Sequence, residues 1–121
     1  KNNIDYLSII LSRFGNIDFS TKNKANEDIY DICFKSNNMT KVDLLLNYDK
    51  DISEKNLSKT LIHILKHGKI EQYWQFFEEK IPNLINFGND KNSNLMMFCV
   101  VSGNIDNFNF IIDKSNKSQI L

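Results

Sequence analysis

The chain has 121 residues, 41% of them hydrophobic and 25% charged, and its fifteen basic and fifteen acidic side chains leave a formal charge of zero. That length suffices for one domain with a real core, and the two charge signs alternate without a like-signed run. No nucleic-acid footprint is therefore expected, since that needs clustered Lys and Arg, and no polybasic membrane anchor.

Other classes are excluded as readily. The longest apolar run, Leu95 to Val101, is too short to span a bilayer, and no signal-peptide pattern opens the chain. Cys33 and Cys99 are too few and too far apart for a disulfide framework, so a reducing, cytoplasmic (intracellular) setting is expected.

In chain order, Ile4, Leu7, Ile10 and Leu11 form one stripe and predict a helix over 3–13, ended near Gly15. Residues 16–26 are polar and turn-rich. Asp28 is an N-cap for a helix running to about Ser36, with Ile29, Ile32 and Cys33 on one face. Asn37-Asn38 breaks it, and Met39 to Tyr48 forms the next helix with Val42, Leu45 and Leu46 inward. After a polar connection to Leu57, Ser58 is the expected cap of a helix from Thr60 to Lys66. Gly68 turns the chain into a second helix from Ile70 to Glu79, which Pro82 closes. The last pair is predicted at Ser93–Val101 and Ile105–Asp113, joined at Ser102-Gly103 and followed by a polar tail.

These elements repeat. Gly68-Lys69-Ile70-Glu71 and its following Phe76-Phe77 have counterparts ending in Ile10-Leu11, Leu45-Leu46 and Ile111-Ile112. Aligning those apolar pairs spaces the copies by 35, 31 and 35 residues. A period of about 33 residues is a signature of stacked helical repeats. The unit reads short helix, tight turn, short helix, then a long polar connection. Tetratricopeptide units have much shorter connections, and HEAT or armadillo units run to about 40 residues or more.

With these features the chain resembles the ankyrin-repeat family. The second-helix motif fits best at Gly68-Lys69-Ile70-Glu71 and Gly103-Asn104-Ile105-Asp106, and Thr60-Leu61-Ile62-His63 is the nearest approach to the family's Thr-Pro-Leu-His. The resemblance implies an all-α, ankyrin-like helical repeat solenoid forming a single domain over 1–121. It would comprise a half-repeat at 2–20 and repeats at about 23–55, 56–89 and 90–121, as a piece of a longer chain.

It also implies a non-catalytic protein–protein interaction scaffold whose partner is another protein or an adjacent domain. In the family's habit, contacts fall on hairpin tips and first-helix faces: here Lys24, Asn26, Glu27, Asp31, Lys55, Lys59, His63, Lys91, Asn92 and Asn94. Trp74 joins them from this sequence alone, because its column holds Ser8, Asp43 and Asn109 and so faces solvent. The alternatives are a structural or docking segment of a larger enzyme, such as an ankyrin-fused acyltransferase, and a small ligand-binding helical domain.

Catalysis has little to stand on. His63 and His67 lie four apart, yet Ile64 stands where a metalloprotease helix needs Glu. Cys33 and Cys99 share a column where a small buried side chain is expected. Glu71, Glu78, Glu79, Asp106 and Asp113 read as solvated helix faces rather than an acid–base pair. No enzyme activity, metal, cofactor or small-molecule substrate is expected.

Overall fold

A computed structural model describes residues 19, 21–36, 39–86 and 94–119. The first predicted helix, the Asn37-Asn38 break, Lys91 and Asn92 lie outside them. The described residues are all-helical and contain no strand. Six α-helices follow in order: α1 (Ile29–Lys35), α2 (Met39–Tyr48), α3 (Glu54–His67), α4 (Trp74–Lys80), α5 (Asn94–Ser102) and α6 (Ile105–Gln119). Two 3₁₀ turns, Ile70–Gln72 and Leu84–Asn86, flank α4. The chain divides into two compact units, Lys1–Thr60 and Leu61–Leu121.

In the first unit Asp28 caps α1 as expected. Its carboxylate accepts the Asp31 N–H at 3.0 Å, and the Asp31 carboxylate accepts the Asp28 N–H at 3.2 Å, a reciprocal capping box. The α1 face departs from expectation: Tyr30 is fully buried, whereas Ile32 points out and is 48% exposed. Tyr30 turns inward because its hydroxyl has a buried acceptor, donating to Asp49 Oδ2 at 2.9 Å. Around Tyr30, Cys33 and Leu45 pack Phe19, Ile29, Phe34, Leu44, Tyr48 and Ile52. Helix α2 has the predicted limits, with Val42 and Leu45 buried and Leu46 half-buried.

Helix α3 begins at Glu54, six residues before the predicted start at Thr60. Its cap is Ser53 rather than Ser58: Ser53 Oγ accepts the Asn56 N–H at 3.1 Å. The earlier start adds Leu57 to the stripe that continues through Leu61, Ile64 and Leu65, all buried.

In the second unit, the expected helix from Ile70 to Glu79 is a 3₁₀ turn, a break at Tyr73 and then α4. Its buried face is Ile70, Trp74 and Phe77, while Phe76 is only half-buried. The aligned pair therefore slips by one, since Leu45 and Ile111 are the buried members of their own pairs. The reason is a residue count. Nine steps separate Gly68 from Phe77, and eight separate Gly103 from Ile111. The extra residue is absorbed at Ile70–Tyr73, where the chain is not α-helical.

Helix α5 ends in a Schellman motif: Asn104 N–H donates to Cys99 O at 2.9 Å and Gly103 N–H to Val100 O at 3.1 Å. Gly103 takes the left-handed φ of +75° that this closure requires. Helix α6 then runs to Gln119, six residues past the predicted end at Asp113, because no Gly or Pro interrupts Lys114 to Gln119. Among the described residues no helix is long and apolar enough to cross a membrane.

Candidate interaction surface

The polar residues ahead of α1 form a closed turn. Asn23 N–H donates to Glu27 O at 2.9 Å, and Asn26 N–H donates to Asn23 O at 2.9 Å. The Asn23 side-chain oxygen accepts from the Ala25 and Glu27 N–H groups at 2.9 and 3.0 Å. Asn26 sits at φ 65°, a left-handed conformation that asparagine tolerates. The turn thus holds its shape through its own backbone, and it presents Lys22, Lys24 and Asn26 to solvent.

The charges behind the turn are engaged with one another. Glu27 pairs with Lys35, and that pairing with the Asn23 amide holds its carboxyl below the ordinary carboxylate range. Lys59 of α3 reaches Asp31 Oδ1 at 2.7 Å and both Asp28 oxygens at 3.4 Å. Burial by itself raises the Asp31 pKa, but the Lys59 pairing and the Asp28 N–H outweigh it and the net shift is downward. So Lys59, in the first part of α3, is tied to the Asp28 and Asp31 carboxylates at the start of α1, while Glu27 is held locally by Lys35. Among the described residues of the set, the outward charges are Lys24 and Lys55.

The other expected contact residues stand differently. His63 is buried in α3, with its ring 5.0 Å from that of His67, which is exposed. Burial, then the neighbouring His67 and Lys66, lower its pKa from 6.5 to about 4. Such a histidine is neutral when folded and takes up a proton more readily when unfolded. Its contribution is complete above about pH 6.5 and is lost as the pH falls towards about 4. Urea unfolding at pH 7 and pH 4.5 is expected to show this loss, up to about 3 kcal/mol, and His63→Gln should remove that part of the pH dependence. An unchanged pH dependence would refute it.

Trp74 corrects the expectation of an exposed indole, being only 5% exposed. Phe110 of α6 meets its ring edge-on at 5.5 Å, and the Lys114 ammonium lies 6.0 Å from its centroid. Ile81, Asn83, Leu84 and Ile85 line the hollow beside it. Its column-mates Asp43 and Asn109 are exposed as expected, so among the described residues of the column the solvent-facing pattern fails where the register slips. Asn94 opens α5.

Sequence reasoning missed a polar residue with four side-chain hydrogen bonds, Asn107, which is 2% exposed. Its Oδ1 accepts the Ile70 N–H at 2.9 Å. Its Nδ2 donates to the carbonyls of Ile64, Leu65 and Gly68 at 3.1, 3.0 and 3.0 Å. Asn104 assists, donating to Gly68 O at 3.1 Å and accepting the Asn107 N–H at 3.2 Å as the α6 cap. One side chain thus satisfies the end of α3 and the following 3₁₀ turn, and ties both to α6. The available signal was the Asn104-x-x-Asn107 spacing, a cap residue and its N3 partner.

The thiols are inert in this setting. Burial pushes Cys33 up and Cys99 up to about 11, so both stay protonated, and Cys99 Sγ donates to Leu95 O at 3.3 Å. Glu71, Glu78, Glu79, Asp106 and Asp113 are exposed. Among the described residues no group of three or more His, Cys, Asp or Glu is placed to hold a metal ion. Compared with protein-family models, with curated proteins and with solved structures, the chain finds no match.

Proposed function

We propose that the chain is a non-catalytic protein-binding scaffold of stacked, ankyrin-like helix pairs. On this reading it contacts its partner through the 22–27 turn and the exposed side of α1. The observation that carries the reading is the turn itself. Its backbone bonds are closed internally, its apolar burial is nil, and it holds two lysines and an asparagine outward in one fixed shape. Ordering costs are a large part of what binding must overcome, so a preformed polar tip binds more tightly than a floppy one. Ile32, 48% exposed on α1, adds an apolar contact nearby in sequence.

The test is quantitative capture with the full chain. A partner held by the wild type and by Lys69→Glu is expected to be lost at least about tenfold with Lys22→Glu/Lys24→Glu. All these positions are exposed, so stability should stay within about 0.5 kcal/mol. Equal capture by all three chains would overturn the reading. A second reading, a docking segment for an adjoining part of the same protein, is favoured by the apolar side chains that α5 and the start of α6 leave in solvent.

A further inference from the structure

Helix α5 is apolar on both sides. Leu95 and Cys99 are buried, whereas Met97, Val100 and Val101 are 55%, 63% and 75% exposed, and Ile105 at the start of α6 is 68% exposed. A helix that is hydrophobic all round is ordinarily covered all round.

What covers this face is indicated 35 residues earlier in the same chain. Matching Gly68 to Gly103 matches Ile64 to Cys99, Leu65 to Val100 and Ile70 to Ile105. Leu65 and Ile70 are fully buried, in a unit where α6 packs on the 3₁₀ turn that holds Ile70. The corner made by Ile64, Leu65, Gly68 and Ile70 is filled by the Asn107 amide. Its counterpart, Cys99, Val100, Gly103 and Ile105, lines an open hollow of about 440 Å³ together with Asn104, Phe108 and Asn109.

We propose that this hollow is the seat for a further helix pair of the same pattern, one that carries an asparagine at the third residue of its second helix. The incoming amide takes the place that Asn107 takes one unit earlier, and the apolar side of the incoming pair covers Val100 and Ile105. The match differs in two details. Cys99 O already accepts from Asn104 N–H and the Ser102 hydroxyl, and Val100 O from Gly103 N–H, so the Gly103 carbonyl and the Ile105 N–H are the groups left to receive the amide.

This inference rests on the stacked reading above but not on the 22–27 turn, and its test involves no captured partner. Replace Ile120-Leu121 of the full chain with a second copy of residues 85–119, which restores the 35-residue spacing. The extended chain is expected to unfold in one transition with a higher denaturant midpoint and a steeper slope, its unfolding constant falling about tenfold or more. Changing the appended counterpart of Asn107 to alanine should remove most of that gain. Val100→Lys/Ile105→Lys should remove it too, while leaving the 121-residue chain about as stable as before, since both side chains are exposed.

A separate transition for the appended pair, or no rise in midpoint, would overturn the proposal. So would a dimer of the unextended chain in sedimentation that Ile105→Lys dissolves, because the occupant would then be a second copy. Should the extended chain not be obtained folded, hydrogen exchange on the unextended chain with excess 85–119 peptide decides. Slowed exchange at the Val100 and Ile105 amides is expected, and unchanged exchange counts against it.

Discussion

Asn107→Ala is expected to lower the unfolding free energy by about 3–5 kcal/mol, although asparagine is polar and sits near a helix start. The side chain is 2% exposed and serves one N–H and three carbonyls that have little access to water. Ile64 O keeps the Gly68 N–H and Gly68 O keeps the Asn104 amide, so the Leu65 carbonyl and the Ile70 N–H are the groups left unsatisfied, at about 1–3 kcal/mol each. Asn107→Asp separates the chemistry from the packing. Its volume is unchanged and one oxygen still accepts from Ile70 N–H, but the other oxygen meets three carbonyls in place of a donor. At neutral pH it should cost as much as alanine or more, and part of the loss should return in acid as protonation restores an O–H donor. Asn109→Ala, two residues away and exposed, should stay within about 0.5 kcal/mol. Denaturant midpoints for the three variants check this. A mild Asn107→Asp at pH 7 would show that the amide is not the tie.

Phe77→Ala is expected to cost about 3–5 kcal/mol, and its neighbour Phe76→Ala about 1 kcal/mol. The two rings are 5.1 Å apart, yet they do different work. Phe77 is fully buried, so its removal forfeits transfer free energy and leaves a cavity. Phe76 is half-buried beneath the Lys80 ammonium, 5.1 Å from its centroid, and loses only partial burial and a cation–π contact. Leu45→Ala and Ile111→Ala should behave like Phe77, at about 2–5 kcal/mol, because both are buried. Equal costs at 76 and 77 would place the register back in the pairwise alignment and remove the slip at Tyr73.

Much of this molecule follows from local sequence. The Asp28 cap, the limits of α2, the Gly103 turn and the stop at Lys80 before Pro82 rest on cap chemistry, left-handed glycine and the missing proline N–H. Those effects act within a few residues, so reading them needs no knowledge of the fold. Apolar periodicity likewise places Val42 and Leu45 in the interior.

Three features depend on groups far away in sequence. Tyr30 is inside and Ile32 outside because a carboxylate nineteen residues on, Asp49, is placed to accept the hydroxyl. Trp74 is inside because one extra residue before α4 turns it towards Phe110 and Lys114, and a residue count does not reveal where the chain absorbs it. Asn107 is a tie because the end of α3 and the 3₁₀ turn, 37 to 43 residues back, bring four backbone groups to one amide. The sequence by itself determined the Asp28 cap, the span of α2 and the Gly103 turn, through short-range sterics and capping. Which polar side chain fills which corner was decided only by tertiary structure, because a buried hydrogen bond depends on donor and acceptor meeting in space.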